Sequence, residues 1–258
     1  MATQPDRTVS DIRLYPLDGG RIVATGGDAA EMSDDGAYAG RTLEMPVPCF
    51  LIRHPAGDLL WDTGMSRTRT DLGEWATPGA SLVEQLAALD LAPRDIRFLV
   101  LSHGHWDHSG NAGPFAGATW IVNPIERAAM FDAENRASQS MADYGALETA
   151  DTRLVSDDHD VFGDGSVTVV QAPGHTPGHT VLLVRLPHAG PILLSGDLWH
   201  MAESRRHRRV PPFNTDRAQT LASMDRIEAL AATVGARVII QHEPTDQADL
   251  RRPPAYLG

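Results

Sequence analysis

Little in this sequence would staple, anchor or export the chain. A single cysteine, Cys49, stands among 258 residues, so no disulfide can form within it. Cys49 lies in the apolar PVPCFLI, where a buried thiol that serves packing is the expectation, not a nucleophile. No apolar run approaches the ~18 residues that a membrane span needs. The segment MATQPDRTVSDIRLYP has neither the basic nor the apolar part of a secretory leader. These absences together predict a soluble, cytoplasmic protein without a membrane partner. Positive charge is short as well: 22 Lys plus Arg stand against 34 Asp plus Glu, a formal net charge of −12. A general affinity for nucleic acid is thereby disfavoured, because phosphate binding needs a basic surface.

What is present has the proportions of an ordinary globular chain, with 42% hydrophobic and 22% charged residues. Its length suffices for a full core, and one domain over 1–258 is expected. Short Val-, Ile- and Leu-rich stretches predict strands at 12–15, 21–24, 49–53, 58–61, 97–102, 118–122, 167–171, 180–186, 191–195 and 237–241. Helical patterns fall between them. One runs from Ser81 to Leu91, opened by a Ser81/Glu84 capping box before Leu86 and Leu89. A second covers 124–132, and a third covers 216–234, with Leu221, Met224, Ile227 and Leu230 on one stripe and Gly235 as its stop. No solenoid-length repeat interrupts this order, which predicts a mixed α/β sandwich. Two stretches fit the scaffold poorly, acidic 133–160 and 201–215 with its RRHRR core, and both read as loops over a site.

The densest chemical signal is LSHGHWDHSGN, which puts His103, His105, Asp107 and His108 within six residues after the apolar FLVL. In a continuing strand His108 would point away from the other three, and in a helix His103 and His105 would diverge by ~200°. A loop leaving the strand end gathers all four, and Gly104, Ser109 and Gly110 supply the backbone freedom. Imidazole nitrogen with carboxylate oxygen suits zinc, and also iron, manganese or cobalt. Four such ligands fill one site, yet more candidates follow at other strand ends: His175 after VTVVQ, Asp197 after ILLSG and His242 after RVII. Asp197 can bridge two cations that would otherwise repel each other. Five histidines and two aspartates are enough for two metals. His54, His159, His188 and His207 read as surface or hydrogen-bonded core residues.

With these residues in place, the chain resembles the metallo-β-lactamase superfamily, whose His-x-His-x-Asp-His hallmark stands at His103 to His108. The resemblance extends through Asp62-Thr63-Gly64, Pro173-Gly174-His175, Gly196-Asp197 and His242. It implies an αββα sandwich, two sheets face to face with helices outside. It also implies one metal on His103, His105 and His175, another on Asp107, His108 and His242, and Asp197 between them. Asp62 would support the site without binding metal, and His179 would be structural. Within the superfamily the sequence is most similar to the N-acyl-homoserine lactonase group, through LEMPVPCFLIRHPAGDLLWDTGM, QAPGHTPGHTVLL and the helix leading to the last histidine. Lactonases acting on pyridoxolactone share this layout. Those enzymes carry a tyrosine three residues after the bridging aspartate, whereas this sequence has His200 there, a placement similar to phosphotriesterase-like relatives.

The chemistry follows from two divalent cations, Zn2+ foremost. They lower the pKa of a shared water towards neutrality and polarise the carbonyl that the resulting hydroxide attacks. Asp107 would then pass a proton to the ring alkoxide, and His200 would donate a hydrogen bond to the carbonyl. The expected function is a lactonase that opens a small lactone such as an N-acyl-homoserine lactone, silencing a quorum signal. Its rivals keep the same centre for an organophosphate triester, a β-lactam or a thioester; a persulfide dioxygenase would put iron there, and a nuclease is disfavoured by the charge. Trp106 and Trp199 would wall an acyl chain or pack the ligand loops. Arg205 to Arg209 would grip an anionic group or, the favoured reading, form a solvated loop or subunit contact. A homodimer is left open, with GGRIVATGGDAAEMSDDGAYAG as a candidate protruding arm.

Overall fold

The structure, a computed structural model, describes residues 11–69 and 71–258. Twelve strands run through it: β1 (Arg13–Thr25), β2 (Thr42–Arg53), β3 (Asp58–Trp61), β4 (Ala76–Pro78), β5 (Ile96–Val100), β6 (Thr119–Val122), β7 (Thr152–Leu154), β8 (His159–Asp160), β9 (Val167–Gln171), β10 (Thr180–Leu186), β11 (Gly190–Leu194) and β12 (Arg237–Ile239). Seven form one sheet in the order β4-β1-β2-β3-β5-β6-β7, and five form the other in the order β12-β11-β10-β9-β8. The first sheet is antiparallel from β4 to β3 and parallel from β3 to β7. The second is antiparallel except for the parallel β11/β12 pair.

The apolar runs are continuous, not alternating, because most central strands are buried on both faces. In β10, Leu182, Val184 and Leu186 enter the cluster between the sheets, where they meet Phe50, Ile52, Trp61 and Phe98. The intervening Val181 and Leu183 pack outward under the helix Arg217–Val234, against Met224, Ile227 and Ala231. Leu51, Leu60, Leu99 and Trp120 likewise face outward from the first sheet, under Leu82, Leu86, Phe115 and Tyr144. Each such side chain contributes about 1.5–3 kcal/mol by leaving water. The result is the αββα sandwich.

Several boundaries differ from the sequence reading. The predicted strands 12–15 and 21–24 are one strand, β1, whose pairing with β2 shifts register between Asp18 and Arg21. A Cβ on Gly19 would sit 2.6 Å from the Val47 carbonyl oxygen, so this bend needs glycine. The helix expected over 81–91 is only Leu82–Ala87; Ser81 Oγ accepts from Glu84 N at 3.4 Å, while the reciprocal half of the expected capping box is absent among the described residues. The stripe of the helix Arg217–Val234 is rotated, since Leu221 and Leu230 are only partly buried. Residues 133–160 are not a loop over the site. They hold helices Ala133–Arg136 and Ser140–Tyr144 with β7 and β8, and Tyr144 and Leu147 pack on the outer face of the first sheet.

The glycine-rich stretch at 19–40 does not protrude as an arm. After β1 it forms a short helix, Gly26–Ala30, and folds onto the chain's own residues 203–217. Tyr38 is fully buried, with its hydroxyl 2.9 Å from Ser204 Oγ, while Asp35 pairs with Arg209 at 3.0 Å and Asp34 with Arg217 at 2.6 Å. Among the described residues no helix is long and apolar enough to cross a membrane.

Candidate metal centre

All seven proposed donors stand just beyond the C-terminal ends of strands: His103 to His108 after β5, His175 after β9, Asp197 after β11 and His242 after β12. The loop after β5 leaves the strand and turns into the short helix Trp106–Ser109, which swings Asp107 and His108 back beneath His103. Neither a strand nor a helix alone gathers these side chains, as their spacing implied. The donors converge as two groups, His103, His105, His175 and Asp197 in one, and Asp107, His108 and His242 in the other.

Asp197 joins the two groups. Its Oδ1 lies 3.1 Å from His108 Nε2 and 3.0 Å from His242 Nε2. Its Oδ2 lies 3.4 Å from His175 Nε2 and 3.7 Å from His103 Nε2. The facing nitrogens are equally close, with His175 Nε2 3.2 Å from His103 Nε2 and 3.0 Å from His105 Nδ1, and His108 Nε2 3.3 Å from His242 Nε2. Nitrogens bound about 2.05 Å from a tetrahedral zinc stand roughly 3.3 Å apart. The donors are therefore spaced for a cation between them, and the residues fit two divalent metals.

The far side of the His242, His175 and His108 rings is tied so that the inward nitrogen stays free. His242 Nδ1 donates to the Pro46 carbonyl at 2.8 Å, and His175 Nδ1 donates to Asn214 Oδ1 at 2.9 Å. His108 Nδ1 meets Asp62 Oδ2 at 2.9 Å. Asp62 also accepts from Ser102 N at 2.6 Å and from Gln241 Nε2 at 2.9 Å, and it holds the left-handed backbone conformation at φ 57. The supporting role expected of Asp62 thus has its contacts. His179 is structural, as expected: its Nε2 accepts from Asp197 N at 2.9 Å, and its Nδ1 donates to Ala172 O at 3.1 Å. Burial holds it down at about 4, in the neutral form those bonds require.

Burial, reinforced by neighbouring histidines, holds His103 and His175 well below the ordinary imidazole range. Burial lowers His105 as well. These three are neutral, the form that ligates. Burial also opposes charge on His108 and His242, but the carboxylates of Asp197 and Asp107 outweigh it and raise both. Asp197 is held well below the usual carboxylate range, its own burial being overcome by His108, His242 and His200. Positive charge is in demand at the second group, which a cation satisfies in place of protons.

A cavity of about 560 Å³ opens onto the donors. Its apolar wall includes Ile22, Met32, Met45, Trp75, Trp106 and Phe213, with Trp75 and Trp106 edge to face at 5.5 Å. His200 lines it too, with Nε2 3.2 Å from Asp197 Oδ2. Trp199 does not; it is buried in the outer cluster beneath the Arg205 guanidinium, so of the two tryptophans only Trp106 forms wall. The basic segment is also turned elsewhere. Arg205 binds Glu228 bidentately, Arg208 pairs with Asp225, and Arg209 pairs with Asp35 and Glu203. From 201–215, predicted as a loop over the site, Phe213 does reach the cavity, while Ala202–His207 is helical.

Sequence reasoning missed Ser102, Gln241, Asn214 and the buried Glu126. Ser102 and Gln241 carried a signal, each as a polar residue ending an apolar strand beside a proposed ligand.

The profile of the metallo-beta-lactamase superfamily matches residues 43–242, and the chain belongs to that superfamily. More particularly, it is 33% identical to the N-acyl homoserine lactonase AttM of Azorhizobium caulinodans, over 96% of this chain and 99% of that protein. It is 26% identical to an N-acyl homoserine lactonase of a Bacillus species, over 84% and 89% of the two chains. Among solved structures, a quorum-quenching N-acyl homoserine lactone lactonase superposes with a TM-score of 0.81 at 25% identity, covering 98% of this chain and 100% of the other. The dizinc quorum-quenching lactonase AidC shares the fold at 18% identity and a TM-score of 0.68, covering 97% of this chain and 95% of that one.

Proposed function

We propose that this chain is a dinuclear metal-dependent lactonase that opens an N-acyl-homoserine lactone or a similar uncharged lactone. The observation that carries this reading is the Asp197 carboxylate, one oxygen toward each donor group, at the end of a cavity with apolar walls. His103, His105, His175 and Asp197 would hold one cation, and Asp107, His108, His242 and Asp197 the other. Zinc suits this nitrogen and oxygen set best. When bound, the two cations supply an ionised water at neutral pH and Lewis acidity toward the ring carbonyl.

The protein's own groups do the rest. Asp107 Oδ2 lies 3.5 Å from both His108 Nε2 and His242 Nε2 and borders the cavity, where it can hold a proton and deliver it to the departing ring oxygen. His200, beside Asp197 Oδ2, donates to the carbonyl from the position where the lactonase group carries tyrosine. The apolar wall receives the acyl chain and excludes water.

Charge separates the rival substrates. Apart from the donors and His200, the titratable residues lining the cavity are the acids Asp28 and Glu31, and no arginine or lysine lines it among the described residues. An anionic β-lactam has no cationic side chain to meet there. Neutral lactones and neutral phosphotriesters both fit, and a substrate panel distinguishes them. The purified metal-loaded protein is expected to open N-acyl-homoserine lactones, with slower or no turnover of β-lactams and paraoxon-like triesters. If every lactone stays intact while the triesters are cleaved well, the lactonase reading is lost.

A further inference from the structure

Glu126 is 3% exposed, sits on the helix Pro124–Met130 that follows β6, and touches none of the proposed ligands. Its two carboxylate oxygens nevertheless reach the two loops that carry three of them. Oε1 accepts from the Gly104 amide at 2.8 Å, between His103 and His105. Oε2 accepts from the Gly178 amide at 2.9 Å, in the β9–β10 loop that carries His175. The first loop leaves one sheet and the second leaves the other. The second contact point needs glycine, because a Cβ on Gly178 would lie 2.6 Å from Glu126 N; at Gly104 a Cβ would lie 2.5 Å from Met130 Cγ, in a side chain.

We propose that Glu126 is a positioning residue that clamps these two loops together and so sets the spacing of the three-histidine group. This rests on the reading of His103, His105 and His175 as metal ligands. A buried carboxylate that accepts one backbone amide on each oxygen is a two-point tie, and no other residue type reproduces it from this position. Glutamine keeps the reach but turns an amide N–H toward one of the two backbone N–H groups. Aspartate keeps the charge but is one methylene too short to span both loops. In the second donor group His242 lies outside both tied loops, and Asp107 and His108 stand beyond the tied Gly104, on the helix Trp106–Ser109.

The test compares the full-length wild type with Glu126→Gln and Glu126→Asp, read by zinc stoichiometry after competition with a chelator, by zinc exchange rate, and by the Tm of the metal-free protein. Wild type is expected to retain two zinc ions per chain. Both variants are expected to lose one first, with affinity at that site down about 10- to 100-fold, the usual effect of removing a partner that supports the ligands. Their metal-free Tm should change far less than the zinc-loaded Tm. If either variant folds, binds two zinc ions and exchanges them like wild type, the clamp is refuted. Recovery in Glu126→Asp alone would also refute it, by showing that charge and not reach matters. A wild type that takes up no zinc overturns the metal centre itself, and the clamp with it.

Discussion

Asp107 faces the Nε2 atoms of His108 and His242 on one side and the cavity on the other. Asp107→Asn keeps the shape and removes the charge, so the circular dichroism spectrum should be unchanged while turnover falls about 10²–10⁴-fold, the range for a lost acid–base group. Normal activity in that variant would end the assignment. His200→Phe should retain both metals yet lower kcat about 10²–10³-fold, as removal of one oxyanion donor does, and His200→Tyr should recover much of it. Steady-state kinetics alongside metal analysis checks both. Four donors in six residues were legible in the sequence because chance seldom crowds them so. Asn214 and Gln241 were not, because their roles exist only across the fold: Asn214 meets a partner 39 positions away, and Gln241 one 179 positions away.

Strands that carry apolar side chains on both faces announced themselves, and β9 and β10 lie where the apolar runs placed them. The two- and three-residue edge strands β4, β7 and β8 went unread, since short pieces at a sheet margin hold too few buried side chains to leave a pattern. The longest helix begins at the Asp216 cap, whose Oδ1 accepts from Gln219 N at 2.9 Å, and stops at Gly235, whose φ is +67. Nothing crowds a Cβ there, so Gly235→Ala should lower stability through backbone strain alone, by about 1 kcal/mol in urea denaturation. The segment after Gly64 is tied to the helix Ser140–Tyr144 by Arg69, which bonds Asp143 at 2.9 Å and also grips Asp71. Burial raises the Asp143 carboxyl to about 6 against Arg69, from an ordinary 3.8. A group raised in the folded state contributes stability that is complete below its unfolded value and is lost as pH rises through the folded one. The stability of wild type relative to Asp143→Asn should therefore fall between pH 4 and 6, and denaturation at a series of pH values reads the difference.

At the scale of the whole molecule, the sandwich brings donors from both sheets to one end, and a ligand held only by the folded state stabilises it. Two cations, each at 100 times its Kd, add about 2.7 kcal/mol apiece. For a chain of this size chelation should lower Tm on the order of 10–20 °C, in a scan with and without EDTA. A mixed α/β sandwich was legible in the patterning, and the αββα layering in the resemblance to the superfamily. The folding-back of residues 26–41 was not, since it depends on Tyr38, Asp34 and Asp35 finding partners far along the chain.

The bond from His242 Nδ1 to the Pro46 carbonyl joins residues 196 positions apart. Protein synthesis adds about 5–20 residues per second, so roughly 10–40 s pass between making the acceptor and making the donor. During that interval His103 to His108 are made, ahead of the last proposed donor. The nascent chain cannot complete the second group until β12 has joined its sheet. On the proposed assignment full loading would wait until His242 has been translated, and a product cut short of it would keep six of the seven proposed donors but only one complete group.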